Sequence, residues 1–218
     1  MRVLVVGATG QTGRQIVHEL VTKNIPVRAL VRDLEKAKQI LPEKVEYAVG
    51  DVLKPATLTT AITNCNLLIC ATGAAPSLDF TQPYLVDYQG TKNLVDLALQ
   101  NQVEHFVIVS SLCVSKFFHP LNLFWLVLWW KKQAENYIMK SGLTYTIVRP
   151  GGLKNENNDE NILMSGADTL FEGSISRQKV ARVCVESLSQ SVAKNKIVEI
   201  ITKSDAPAKT WEELFQQV

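Results

Sequence analysis

Val3-Leu4-Val5-Val6-Gly7-Ala8-Thr9-Gly10-Gln11-Thr12-Gly13 opens the chain with four apolar residues and three glycines spaced three apart. The apolar run has no polar alternation, as in a parallel strand covered on both faces. Behind it Gly13, Ile16, Val17, Leu20 and Val21 recur at helical spacing. Glycines at this junction permit a tight turn and let a pyrophosphate approach the N–H groups at the helix start. The spacing is G-x-x-G-x-x-G, and its place between a strand and an amphipathic helix predicts a dinucleotide site on Gly7, Thr9, Gly10, Gln11, Thr12 and Gly13.

Outward from this unit the same alternation continues. Strands are predicted at 26–31, 45–49, 66–71, His105–Val109, 144–148 and 196–201. Helices are predicted at 33–40, 55–62, on the face marked by Val86, Gly90, Leu94, Leu97 and Ala98, and at 121–140, 178–189 and 211–218. Residues 154–174 are polar and read as loop. Strand and helix in turn predict an α/β fold, a doubly wound parallel sheet. Residues 1–218 form one dinucleotide-binding domain, with 152–218 as a small C-terminal substrate or lid region. In such a sheet ligands bind beyond the carboxyl ends of the strands. Functional residues are therefore expected just after Val6, Val31, Val49, Ala71, Val109 and Val148.

At 218 residues the chain is long enough to bury a core unaided. Its 23 basic and 21 acidic residues leave a net charge of +2, without the basic excess of a nucleic-acid reader. No nucleic-acid partner is expected. Cys65, Cys70, Cys113 and Cys184 lack the spacing of a zinc site, so no metal is expected and the thiols read as small buried hydrophobes. Met1-Arg2 runs straight into the first strand and reads as no cleavable leader. No stretch reaches the roughly 18 apolar residues of a membrane span.

Arg32 follows the second strand, where an arginine accommodates a ribose 2′-phosphate and an acidic residue would hold a free 2′-hydroxyl. Arg32 therefore predicts NADPH, with a solvated arginine in a capping turn as the alternative. Asp33 fits the next helix's N-cap. Together, residues 7–13, Leu30-Val31-Arg32, Gly50-Asp51-Val52 and Tyr145-Thr146-Ile147-Val148-Arg149-Pro150-Gly151-Gly152-Leu153 resemble the atypical short-chain dehydrogenase/reductase family. That family includes flavin and biliverdin reductases and NmrA-like redox sensors. Residues 143–153 with 170–177 resemble its chloroplast and cyanobacterial branch. The resemblance implies that Asp51 and Val52 flank the adenine. It implies that Ala71, Thr72 and Gly73 line ribose and phosphates, and that Arg149, Pro150 and Gly151 pass beside the nicotinamide. Plainer readings stand beside these: a helix cap for Asp51, a loop for Thr72-Gly73, and a structural ion pair for Arg149.

Family enzymes use a serine, a tyrosine and a lysine four residues after the tyrosine. Ser111 stands at the serine's place, with Ser110 as alternative, and Lys131 resembles the lysine. Val127 occupies the tyrosine's place. A ketone needs a general acid at its oxygen. The expected activity is thus NADPH-dependent reduction of a planar apolar acceptor: a quinone, flavin or tetrapyrrole. The alternative is a non-catalytic NADPH-binding sensor or assembly factor. Segment 117–130 holds three of the four tryptophans. It is open to three readings: buried core, a wall for the acceptor, or a surface for a peripheral membrane or protein partner. The expected setting is the cytoplasm or the plastid stroma, as a monomer or dimer.

Overall fold

The computed structural model describes residues 2–74, 78–123 and 125–218. Its strands are β1 (Val3–Val6), β2 (Val27–Val31), β3 (Glu46–Val49), β4 (Leu67–Cys70), β5 (His105–Val109), β6 (Tyr145–Pro150), β7 (Gly152–Lys154), β8 (Asn161–Ser165), β9 (Ser174–Ser176) and β10 (Lys196–Lys203). Its α-helices are α1 (Gln11–Thr22), α2 (Leu34–Ile40), α3 (Thr59–Ile62), α4 (Thr91–Gln100), α5 (Val127–Lys140), α6 (Arg177–Ser187) and α7 (Trp211–Gln216).

Eight strands form one sheet in the order β3-β2-β1-β4-β5-β6-β10-β8. All neighbours are parallel except β8, which pairs antiparallel with β10 at the edge. The unbroken apolar runs are explained by the two faces. Val3 and Val5 join a core with Ile16, Val17 and Leu20 of α1 and Val180 and Cys184 of α6. Leu4 and Val6 join Leu94 of α4 and Ile138 of α5 on the other side. Each fully buried side chain of this kind contributes roughly 1.5–3 kcal/mol. The chain winds outward from β1 to β3, then returns to β4 and continues the other way. The crevice between the ends of β1 and β4 is therefore where a ligand is expected.

Three expectations are corrected. The helix predicted from residue 121 begins only at Val127, after a 3₁₀ turn at Pro120–Leu123. Trp125 and Leu126 both adopt left-handed backbone, with φ of 58° and 59°. The Asn122 side chain makes this turn possible. Its Oδ1 accepts from Leu128 N (3.0 Å) and Trp129 N (3.2 Å), and its Nδ2 donates to Phe117 O (2.8 Å). The polar stretch read as loop contains β8 and is bounded by β7 and β9, which form a separate two-stranded sheet. Finally, the helix around Val86 starts as a π-helical segment, Pro83–Gly90, before α4. Such widened turns tend to accompany functional sites. The 152–218 region also supplies β10 to the interior of the main sheet and packs α6 on α1.

Candidate functional site

A cleft of about 500 Å³ opens at the β1/β4 crevice. Of the residues expected to bind a dinucleotide, Gly7, Thr9, Gly10, Arg32, Asp51, Val52, Ala71, Thr72 and Gly73 line it. Gln11, Thr12 and Gly13 form the first turn of α1 behind the glycine loop. Gly7 has φ +79°, and a Cβ there would lie 2.7 Å from the Ala71 carbonyl carbon. Only glycine lets the loop pass so close to the end of β4. At Gly73 a Cβ would meet only Asp87 Oδ1 and Lys131 Nζ, each at 3.8 Å. The missing side chain there leaves open space beside the lysine, room that a ligand's sugar can take. Asp51 shapes its own turn by accepting from Leu53 N at 3.0 Å. These features fit an extended dinucleotide with its pyrophosphate on the glycine loop.

Gln82 and Val86 also line the cleft and were not anticipated as site residues. Their i, i+4 spacing just after the β4 loop was the available signal. The π-helical start of the segment that carries them is not visible in the sequence.

Next to the cleft, Thr72, Asp87, Thr91, Ser110 and Lys131 converge on a small internal space. Lys131 Nζ lies 2.8 Å from Asp87 Oδ1, and Asp87 is 1% exposed at its side chain. Asp87 Oδ2 also accepts from Ala74 N at 3.3 Å. The π-helical segment thus supplies the counter-ion that aims Lys131 at Gly73. Ser110, not Ser111, faces this space. Ser111 is only partly buried and lines neither the space nor the cleft. Both serines lie just past the end of β5, where Ser110 is held toward the space by its bond to Glu135.

Ser110 Oγ donates to Glu135 Oε1 at 2.6 Å. Glu135 is held in turn by Arg149, through Nε at 3.0 Å and Nη2 at 2.7 Å. Arg149 Nη1 reaches Asp168 (2.8 Å) and Glu199 (3.1 Å). Glu199 accepts from the backbone N–H of Asp168, Thr169 and Leu170. Arg149 is fully buried, and its side chain takes the structural ion-pair role that stood as its plainer reading. It is an ion-pair hub joining β6, α5, β10 and the 168–170 turn. Burial by itself would lower the Arg149 pKa, but the bonds and charges of Glu135, Glu199 and Asp168 raise it above the ordinary value. Pro150 and Gly151 continue from it into packing. A Cβ on Gly151 would lie 2.6 Å from Gly173 O.

Tyr137 donates to Asp96 Oδ1 at 2.5 Å on α4, turned away from Lys131. Its phenol does not replace the missing tyrosine. All four cysteines are buried free thiols, and burial pushes the Cys184 thiol up to about 12.

Of segment 117–130, Phe124 lies outside the described residues and the rest divides into two parts. Trp130 packs between Tyr84 and Tyr88, at 4.9 and 5.9 Å between ring centroids. Phe118, Leu123, Trp125 and Trp129 are exposed, Phe118 by 96%. Trp125 meets Phe80 across 6.1 Å, which brings the loop after β4 against the loop after β5. Among the described residues, no helix is long and apolar enough to cross a membrane.

Comparison with known proteins agrees with this geometry. The chain is 45% identical to an uncharacterized chloroplastic protein of Arabidopsis thaliana, across all of this chain and 82% of that protein. It is 37% identical to Protein TIC 62 of Pisum sativum, across 99% of this chain but only 46% of that longer protein. It is 31% identical to sanguinarine reductase of Eschscholzia californica, across 100% of this chain and 96% of that one. Among solved structures, a putative NAD-dependent epimerase/dehydratase from Bacillus halodurans superposes with a TM-score of 0.88 at 27% identity, covering 100% of both chains. A sequence model described as NAD(P)H-binding matches residues 7–191. With the glycine loop, the β1/β4 cleft and this match in agreement, the chain belongs to the NAD(P)H-binding family of Rossmann-fold, atypical short-chain dehydrogenase/reductase proteins.

Proposed function

We propose that the protein is an NADPH-dependent reductase of a planar, apolar acceptor of the quinone, flavin or tetrapyrrole class. The observation that carries this is the Lys131–Asp87 pair beside Gly73, at the cleft, with Val127 standing four residues before the lysine in place of a tyrosine. Arg32 would hold the 2′-phosphate, Gly7, Thr9 and Gly10 the pyrophosphate, and Asp51 and Val52 the adenine. Bound there, NADPH supplies a hydride. The protein's own part is to orient, to exclude water and to keep a proton at hand. Lys131 Nζ carries that proton, Asp87 fixes its direction, and the Thr72 and Ser110 hydroxyls share the same space. A single proton donor at Lys131 stands in for the family's set of serine, tyrosine and lysine. It suffices where the reduced acceptor spreads its charge over a conjugated ring. Phe80 and Trp125, on the two loops nearest the cleft, offer apolar faces to such a ring. The likeness to sanguinarine reductase supports the reductase class.

The test is NADPH oxidation by the purified protein against flavins, quinones and tetrapyrroles, with bound cofactor measured in parallel. Turnover of at least one class is expected. Tight NADPH binding with no turnover of any acceptor would favour a nucleotide-sensing or assembly role instead. Arg32→Glu should remove most of the preference for NADPH over NADH. A charged hydrogen bond is worth roughly 1.5–3 kcal/mol, or about 10- to 150-fold in affinity. Equal affinities for the two cofactors in the unaltered protein would overturn that assignment.

A second reading concerns the exposed aromatic surface. Between Glu104 and Glu135 the sequence has no acidic residue but carries Lys116, Lys131 and Lys132. Phe118, Leu123 and Trp125 beside Lys116 suit the headgroup layer of an anionic membrane, with apolar rings inserted and the ammonium outside. The chloroplastic relatives support a plastid setting for such a surface, with the body of the protein in the stroma.

A further inference from the structure

The exposed side of α1 borders a second cavity, of about 590 Å³, between the end of α2 and the start of α6. That volume is within the usual 300–1,000 Å³ range of small-molecule sites. None of its lining residues lines the cofactor cleft, and of the residues expected to hold the dinucleotide only Gln11, at the start of α1, borders this second cavity. Three cationic or titratable side chains face it: Arg14 and His18 from α1, and Arg177 from the first turn of α6. No aspartate or glutamate lines it. Among the described residues neither arginine takes part in an ion pair. Arg177 is nevertheless held in place. Its Nη1 donates to Asn155 Oδ1 at 2.8 Å and to Leu153 O at 3.3 Å, and both bonds use one nitrogen of the fork. Nε and Nη2 remain as donors, in the fork geometry that matches phosphate oxygens. Ile40, Leu41 and Pro42 make one side of the cavity apolar.

We propose that this cavity binds a small phosphate ester, with the phosphate between Arg14 and Arg177 and the organic group against Ile40–Pro42. The ester would bind independently of the dinucleotide, whose phosphates have their own loop. A phosphate bridging two unpaired arginines gains charge-assisted bonds without breaking existing ion pairs, which is why the missing carboxylates matter.

Calorimetric titration with phenyl phosphate and with inorganic phosphate, both in saturating NADPH, tests this. Phenyl phosphate should bind the NADPH-loaded protein, and more tightly than inorganic phosphate. Arg14→Gln and Arg177→Gln should each weaken it at least about 10-fold, with NADPH affinity unchanged. Arg14 is a safe position to vary, because among the described residues its side chain makes no ion pair. Three outcomes would overturn the proposal. One is no binding once NADPH is present. A second is binding untouched by both arginine variants. The third is binding lost in Arg32→Glu, which would place the phosphate in the cofactor cleft.

Discussion

Lys131 and Lys132 are neighbours with different surroundings. About 100° separates adjacent side chains on a helix, and α5 directs Lys131 to Asp87 at 2.8 Å while Lys132 lies 3.7 Å from Glu135. Only Lys131 lines the space beside the cleft. For any acceptor turned over, Lys131→Ala should lower kcat at least about 10-fold more than Lys132→Ala, the lower bound for a lost charged contact. Steady-state kinetics on both variants checks this, and equal losses would remove Lys131 from its proposed role. His105 tests a different residue-scale effect, at the opposite end of β5. It is 1% exposed, and its Nε2 lies 2.8 Å from Thr146 Oγ1. The Thr146 hydroxyl already donates to Ala193 O, so the histidine Nε2–H is the donor and Nδ1 is left unprotonated. Burial, then the charge of Lys194, lowers its pKa to about 4. The unfolded chain takes up a proton near pH 6.5 and the native state does not. Stability from this group is therefore full above about pH 6.5 and is lost as pH falls toward 4. At about 1.4 kcal/mol per unit, the loss approaches about 3 kcal/mol at most. Denaturant unfolding from pH 7 to 4.5 should show a smaller pH dependence in His105→Leu than in the parent. Parallel curves would mean that the ring is protonated in the native protein.

At the scale of elements, the junction before α5 concentrates the strain. Two consecutive large residues in left-handed backbone cost on the order of 1–3 kcal/mol each, and one buried side chain offsets this. Asn122 caps α5 from five residues before its first turn and ties back to Phe117 O. Asn122→Ala should destabilise the protein by about 1–3 kcal/mol, or roughly 2–10 °C in melting temperature at this chain length. Asn122→Asp should recover part of that, since it keeps the acceptor for Leu128 and Trp129. Thermal melts of the pair decide it, and an unchanged melting temperature in the alanine variant would show that the junction is held by its aromatic packing. This junction was not legible in the sequence, because left-handed turns are normally announced by glycine or asparagine, and here tryptophan and leucine occupy them. β1 to β6, β10 and the glycine loop were legible, β1, β4 and β5 most plainly, since a strand buried on both faces leaves an apolar run. β7, β8 and β9 were not. β7 and β9 are three residues each, and β8 has only three apolar residues inside a polar stretch, too short for either pattern to stand out. For Arg149 the sequence left a choice between a ligand and an ion pair. An arginine after a strand looks the same whether it meets a ligand or three carboxylates 14, 19 and 50 residues away.

For the whole molecule, the sheet order puts two unlike surfaces side by side. The β1/β4 crevice joins the glycine loop to polar and apolar side chains, with Arg32, Asp51 and Thr72 beside Leu30, Val52 and Val86. Next to it, the loops after β4 and β5 present Phe80, Phe118, Leu123 and Trp125 to solvent. A monomer's exposed apolar patches seldom exceed about 300–600 Å² without a purpose. Were this segment core, replacing a large aromatic would cost about 3–5 kcal/mol. Exposed as it is, Phe118→Ala and Trp125→Ala should change the melting temperature by only a few degrees. Both should still reduce co-sedimentation with vesicles containing phosphatidylglycerol. Because Lys116 stands beside these rings, stacked 3.6 Å from Phe171, Lys116→Glu should weaken the same binding, and 0.5 M salt should do so in the parent. The Debye length is about 10 Å at 0.1 M and about 3 Å at 1 M. Vesicles of pure phosphatidylcholine should bind poorly, because they offer the rings a surface but the lysines no charge. Equal binding to both vesicle types in the parent, or none to either, would remove lipid as the occupant. The aromatic surface would then serve the acceptor alone, and the same two alanine variants would raise KM for the acceptor and leave NADPH affinity unchanged.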